Sequence, residues 1–121
     1  PFAVRTYALP DLFAGKMHAV LCRNWRSRMK GRDWYDLVWY AANHPALHLA
    51  HLEARMRDSG HYTKKRPLDA KAVKELLDAR IAAVNVEQIA AEVAPFLSDP
   101  SSIAVWSREF FASVVERVRF Q

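Results

Sequence analysis

The chain has 121 residues, 51% of them hydrophobic, and a formal net charge of +5. That length suits one domain and leaves little room for two. The apolar fraction excludes intrinsic disorder, and three Gly with six Pro exclude fibrous and low-complexity classes.

Phe2 to Tyr7 alternates weakly and is read as a short strand without a partner, orphaned from a missing part. Pro10 and Asp11 open a helix running to about Trp25. Its apolar positions Leu9, Leu12, Phe13, Met17, Val20 and Leu21 have three-and-four spacing. Gly31 breaks the chain, and a second helix runs from about Arg32 to Asn43, where His44-Pro45 ends it. A third spans about Leu47 to Asp58, with Leu49, Leu52 and Met56 on one face, and Ser59-Gly60 stops it. Residues 60–67 read as a basic loop. Asp69 caps a fourth helix striped by Val73, Leu76, Leu77, Ile81 and Val84. Asn85, with Gln88 three residues on, starts a fifth that reaches about Phe96. Asp99-Pro100 reads as the cap and first position of a sixth, carrying Ile103, Trp106, Phe110, Val114 and Val118. The expected fold is all-α: a bundle of five or six helices over residues 1–121, with the short N-terminal strand beside it.

Charge is unevenly spread. Residues 1–66 hold 12 Lys/Arg against 5 Asp/Glu, whereas residues 67–121 hold 6 against 8. The excess peaks at Arg23, Arg26, Arg28, Lys30 and Arg32, with a second cluster at Lys64, Lys65 and Arg66. Cations this close repel one another unless an anion neutralises them, so the run is either a phosphate-facing surface or a solvated loop.

Two helices carry the other candidates. Lys16 lies on the apolar stripe of the first, near Leu12, Phe13 and Val20, where it either snorkels or reaches an anion. The second contains Arg32-Asp33-Trp34-Tyr35-Asp36. Asp33 and Asp36 share a face near the positive helix N-terminus. They form an acidic turn salt-bridged to Arg32 or Lys16, or they orient a lysine or a metal-bound phosphate. Trp34, Trp39 and Trp106 are expected in the core. His44, His48 and His51 read as surface or core histidines rather than metal ligands, and no metal site is expected. Cys22 is the only cysteine, so no intramolecular disulfide can form and a reducing, cytoplasmic setting is expected. No apolar run reaches the roughly 18–20 residues of a membrane span. No phosphate-binding glycine loop or hydrolase signature is present, and no self-contained catalytic set is read.

The segments Leu12-Phe13-Ala14-Gly15-Lys16-Met17-His18-Ala19 and Lys30-Gly31-Arg32-Asp33-Trp34-Tyr35-Asp36-Leu37 together resemble the C-terminal half of AbiEii/AbiGii-type proteins. These are the nucleotidyltransferase-like toxins of type IV toxin–antitoxin and abortive-infection systems. The resemblance covers roughly residues 9–42. It implies a helical part that completes the NTP site of an N-terminal nucleotidyltransferase domain, a parent that uses Mg²⁺ and NTP, and a fragment inactive alone. It assigns Lys16 to the triphosphate and Asp33 and Asp36 to the active site. Arg32 is implied as a supporting partner, with Lys30 and Arg23 of the basic connector beside it. Implied partners are that N-terminal domain, a cognate antitoxin, and tRNA or another RNA. The start at Pro1 is read as that of a piece of a longer protein. The alternative is a basic module that binds nucleic acid or an antitoxin and has no catalytic role.

Overall fold

A computed structural model describes residues 8–23 and 31–121. In chain order these form α1 (Leu9–Cys22), α2 (Gly31–Asn43), β1 (Ala46–Leu47), α3 (Leu49–Asp58), α4 (Ala70–Ala83), α5 (Val86–Val93), α6 (Arg108–Arg117) and β2 (Arg119–Phe120). Short 3-10 turns cover Ala94–Phe96 and Pro100–Ile103. The all-α expectation holds. The strand expected at Phe2–Tyr7 lies outside the described residues. Instead β1 and β2 pair in parallel, with Ala46 opposite Arg119 and Leu47 opposite Phe120. That pairing ties the last residues to the α2–α3 connector.

α2 lies at the centre, against α1 on one side and α5 and α6 on the other, while α1 also packs along α3 and α4 packs on α6. Trp34 of α2 is fully buried and stacks on Phe111 of α6 at 4.8 Å between centroids. Trp106 closes on the same Phe111 ring at 5.3 Å. Stacked aromatic pairs of this kind add to the area they bury. Phe13 of α1 stacks on Tyr40 of α2 at 5.2 Å, which sets the α1–α2 approach.

Leu76, expected on the stripe of α4, is 42% exposed, and four further expectations change. The first concerns Gly31, which opens α2 rather than merely breaking the chain. A Cβ there would stand 2.4 Å from the Ile89 carbonyl oxygen of α5, so only glycine lets the two backbones approach this closely. The second concerns the sixth helix, which is split. Asp99 caps only the Pro100–Ile103 turn, and the Ser107 hydroxyl accepts the Phe110 N–H to start α6 afresh. Ile103, Trp106, Val114 and Val118 are buried as expected, but the restart brings Phe111 and Val115 into the core and leaves Phe110 half-buried.

Lys16 is the third. It is not on the buried stripe of α1, which consists of Phe13, Ala14, Met17, Val20 and Leu21. Leu9 and Leu12 are exposed with Lys16, because α2 and α3 flank α1 and close over its Phe13–Met17 stripe but not over this outer strip. Last, Trp39 lies on the outer face of α2 and is 42% exposed, whereas Trp34 and Trp106 are core residues as expected.

Candidate functional site

α1 and α2 run side by side, and their charged residues meet across the seam. Lys16 Nζ lies 3.0 Å from Asp36 Oδ2, with both side chains partly open to solvent. One turn earlier on α2, Asp33 is buried, and Arg23 just past the end of α1 reaches it. A single guanidinium nitrogen of Arg23 donates to Asp33 Oδ1 at 2.9 Å and Oδ2 at 3.2 Å. The Arg23 side chain remains half exposed, and a guanidinium has more donors than the one nitrogen turned to Asp33. Burial of Asp33 is sustained by that charge-assisted pair.

The end of α1 is held from outside. Arg80 of α4 donates to the Leu21 carbonyl at 2.8 and 3.1 Å and to the Arg23 carbonyl at 3.2 Å. Those carbonyls close the last turn, where a cation complements the helix dipole. The start of α2 is held likewise: Glu92 of α5 accepts the Gly31 N–H at 3.1 Å. Arg80 and Glu92 thus fix the two chain ends that carry Arg23 and Asp33.

Between α1, α2 and α3 opens a cleft of about 430 Å³. Lys16, Arg23 and Arg55 line it with Asp33, and Asp11 and His51 stand at its other end. Asp36 touches it through Lys16. The structure therefore brings together Lys16, Asp33, Asp36 and Arg23 of the sequence candidates. Arg32 is exposed on the first turn of α2, and the acids pair with Arg23 and Lys16. Lys30 lies outside the described residues, as do Arg26 and Arg28. Lys64, Lys65 and Arg66 are exposed on a loop folded against α3. There the Arg66 carbonyl accepts from Arg57 and Tyr62. Glu53 anchors the same loop by accepting the Leu68 N–H at 2.6 Å and the Arg57 guanidinium at 2.9 Å. Those two donors hold its carboxyl below the usual carboxylate range.

Arg55, Arg80 and Glu92 were missed by sequence reasoning. Each acts on a residue far away in the chain, and no local spacing marks such a partner. A slightly larger depression of about 500 Å³ lies between the α4–α5 turn and the start of α6. Its polar groups are already employed: Asn85 and Ser107 cap helices and Arg108 donates to the Val84 carbonyl. The charged cleft is the better candidate on chemistry.

What the cleft can bind follows from its pairs. Lys16, Arg23 and Arg55 present donors suited to phosphate oxygens. Asp33 and Asp36 are each neutralised by a cation, so the pair does not fit as a ligand set for Mg²⁺.

No helix among the described residues is long and apolar enough to cross a membrane. No curated protein and no solved structure matches the chain. The family described as nucleotidyl transferase AbiEii toxin, type IV TA system, matches residues 1–114, well past the two motif segments. A match over so much of the sequence, with the Lys16 and Arg32-Asp33 segments inside it, shows that the chain belongs to the AbiEii nucleotidyl transferase toxin family of type IV toxin–antitoxin systems.

Proposed function

We propose that this chain is the helical C-terminal part of a nucleotidyltransferase-like toxin, and that its α1–α2–α3 cleft receives the triphosphate of an NTP. The observation that carries this reading is that Lys16 and Arg23 open on one cleft, each held by an acid of α2. Lys16 contacts the phosphates, with further donors for them beyond the one facing Asp36. Asp36 orients Lys16 and Asp33 orients Arg23. Exposed Leu9 and Leu12 run beside Lys16 on α1, and apolar positions next to a charged cleft suit the docking of another domain. The nucleotidyltransferase domain would take that place and would supply the carboxylates for Mg²⁺, which would provide charge stabilisation at the α-phosphate. Arg32, exposed on the first turn of α2, extends the cationic surface toward the acceptor, a tRNA or another RNA, and Lys30 is proposed as a substrate-binding residue with it. A cognate antitoxin restrains the toxin, and both act in the cytoplasm.

The test is to replace Lys16→Ala and Asp36→Ala, singly, in the protein carrying its nucleotidyltransferase domain. Nucleotide transfer is expected to fall roughly a hundredfold for Lys16→Ala, the usual cost of removing one electrostatic donor from a reacting phosphate or oxyanion. Growth arrest should fall with it. Unchanged transfer and arrest in both variants overturns the reading. That result favours the alternative of a basic binding module, for which the exposed Lys64, Lys65 and Arg66 offer a phosphate-facing surface.

A further inference from the structure

At the far end of the cleft from Arg23, three side chains from two helix starts converge. Asp11 belongs to the first turn of α1, His48 is the residue that precedes α3, and His51 lies in the first turn of α3. His48 occupies the cap position in extended conformation, yet its side chain caps nothing. Its imidazole Nδ1 meets Asp11 Oδ1 at 2.5 Å instead. His51 aims its own Nδ1 at the same carboxylate oxygen, at 3.4 Å. The backbone holds this meeting in place, because the His48 N–H donates to the Pro10 carbonyl at 3.1 Å. Leu49 N–H is taken by the Gln121 carbonyl at 2.9 Å, so the C-terminal end of the chain anchors the same turn.

We propose that Asp11, His48 and His51 form a binding site for one divalent transition-metal ion of the Zn²⁺ class. Two imidazole nitrogens and one carboxylate oxygen are the donors such ions take, and three protein ligands leave a position open. One ligand atom from each residue lies within 4.8 Å of the other two. Tetrahedral Zn²⁺ with bonds of about 2.0–2.1 Å sets its donors roughly 3.3 Å apart. The His51–Asp11 separation already matches that spacing, the His48–Asp11 contact has to open by under an ångström, and the two imidazole donors, within 4.8 Å of each other, close on the ion. The side chains of His48, His51 and Asp11 are 48%, 31% and 26% exposed, which leaves the open position to water. Bound metal staples the start of α1 to the start of α3. The proposal does not depend on the NTP reading of the cleft.

His18, Cys22 and His61 form a second cluster with donors equally close. It is the poorer site. The Ser59 hydroxyl already stands 3.0 Å from His18 Nε2 and 2.7 Å from His61 Nδ1. Burial, Arg55, His61 and Arg23 all hold the His18 pKa down, and burial pushes the Cys22 thiol up. A positive field and a protonated thiol both oppose a cation.

Titrating the purified chain with Zn²⁺ in a calorimeter, and with Co²⁺ by absorption, tests the proposal. One equivalent of Zn²⁺ should bind, and the Co²⁺ complex should show ligand-field bands without thiolate charge transfer. His48→Ala and Asp11→Asn should each weaken binding at least tenfold, since even outer-shell substitutions cost about 10–100-fold. His48 is half exposed, so His48→Ala leaves the core intact, and circular dichroism of each variant verifies folding. Cys22→Ser should bind as the parent does. The proposal is overturned by absence of saturable Zn²⁺ binding, or by binding that survives His48→Ala and disappears in Cys22→Ser.

Discussion

The α1–α2 region and the α4–α6 region use their polar side chains differently. In α4–α6 the residue before each helix caps it: Asp69 accepts from Ala72 N–H, Asn85 from Gln88 N–H and Ser107 from Phe110 N–H, while Arg80 and Glu92 reach out to hold the ends of α1 and α2. In α1–α2 the polar side chains leave their own element. Lys16 and Arg23 cross from α1 to α2, Asp11 crosses from α1 to α3, and α1 itself has no side-chain cap. Local capping stabilises one helix and says nothing about neighbours. Crossing pairs fix how elements sit against each other, and they are the residues that line the cleft. The second half of the chain is net acidic, whereas the basic first half holds the charges that line the cleft.

The sharpest way to break that contrast is at the point where scaffold and cleft touch. Gly31→Ala places a Cβ against the Ile89 carbonyl, where the contact is backbone and cannot swing away. Overpacking of this kind should cost about 2–3 kcal/mol, outweighing the alanine's better helix propensity. Chemical denaturation measures it, and an unchanged midpoint would show that α2 and α5 can part freely. It should also loosen the Glu92 contact and with it the placement of Asp33.

A smaller effect separates the two acids of the cleft. Asp33 is buried and its pair with Arg23 is half shielded, so Asp33→Ala should cost about 1–2 kcal/mol. Asp36 pairs with Lys16 in the open, so Asp36→Ala should change stability by less than about 0.5 kcal/mol. Equal losses from parallel melts would erase the distinction between a structural acid and an orienting one.

The smallest effect is a pH dependence. His18 has its pKa held below the ordinary 6.5, first by desolvation and then by Arg55, His61 and Arg23. The unfolded chain therefore binds the His18 proton more readily than the fold does. Stability from this group is intact above about 6.5 and is lost as pH falls from there through the folded pKa. Thermal melts from pH 7.5 to 5 should show a decline that is shallower in His18→Gln. Identical slopes would remove His18 from the account.

Much of the scaffold was legible in sequence. Asp69 and Asn85 announce α4 and α5 because a cap acts within four residues of itself. The split at Ser107 was not legible, since Asp99-Pro100 offers an equally good start and only packing onto Trp34 selects the register. The candidate site was half legible: Lys16, Asp33 and Asp36 were singled out by residue type and resemblance, and the structure puts each beside a counter-charge. Arg55, Arg80 and Glu92 left no trace, because their partners lie in other elements.

By itself the sequence determined the helical class, most helix starts, the charge asymmetry between halves and the motif residues that mark the family. Apolar periodicity, capping and composition act over a few residues and need no tertiary context. Only the tertiary structure decided that Lys16 faces outward, that Asp33 is buried and Asp36 is not, and that Asp11 meets His48 and His51. Those outcomes depend on which helix covers which side of another. That choice comes from close backbone approach, as of Gly31 to the Ile89 carbonyl, and from side-chain packing, as of Trp34 on Phe111, which no local pattern encodes.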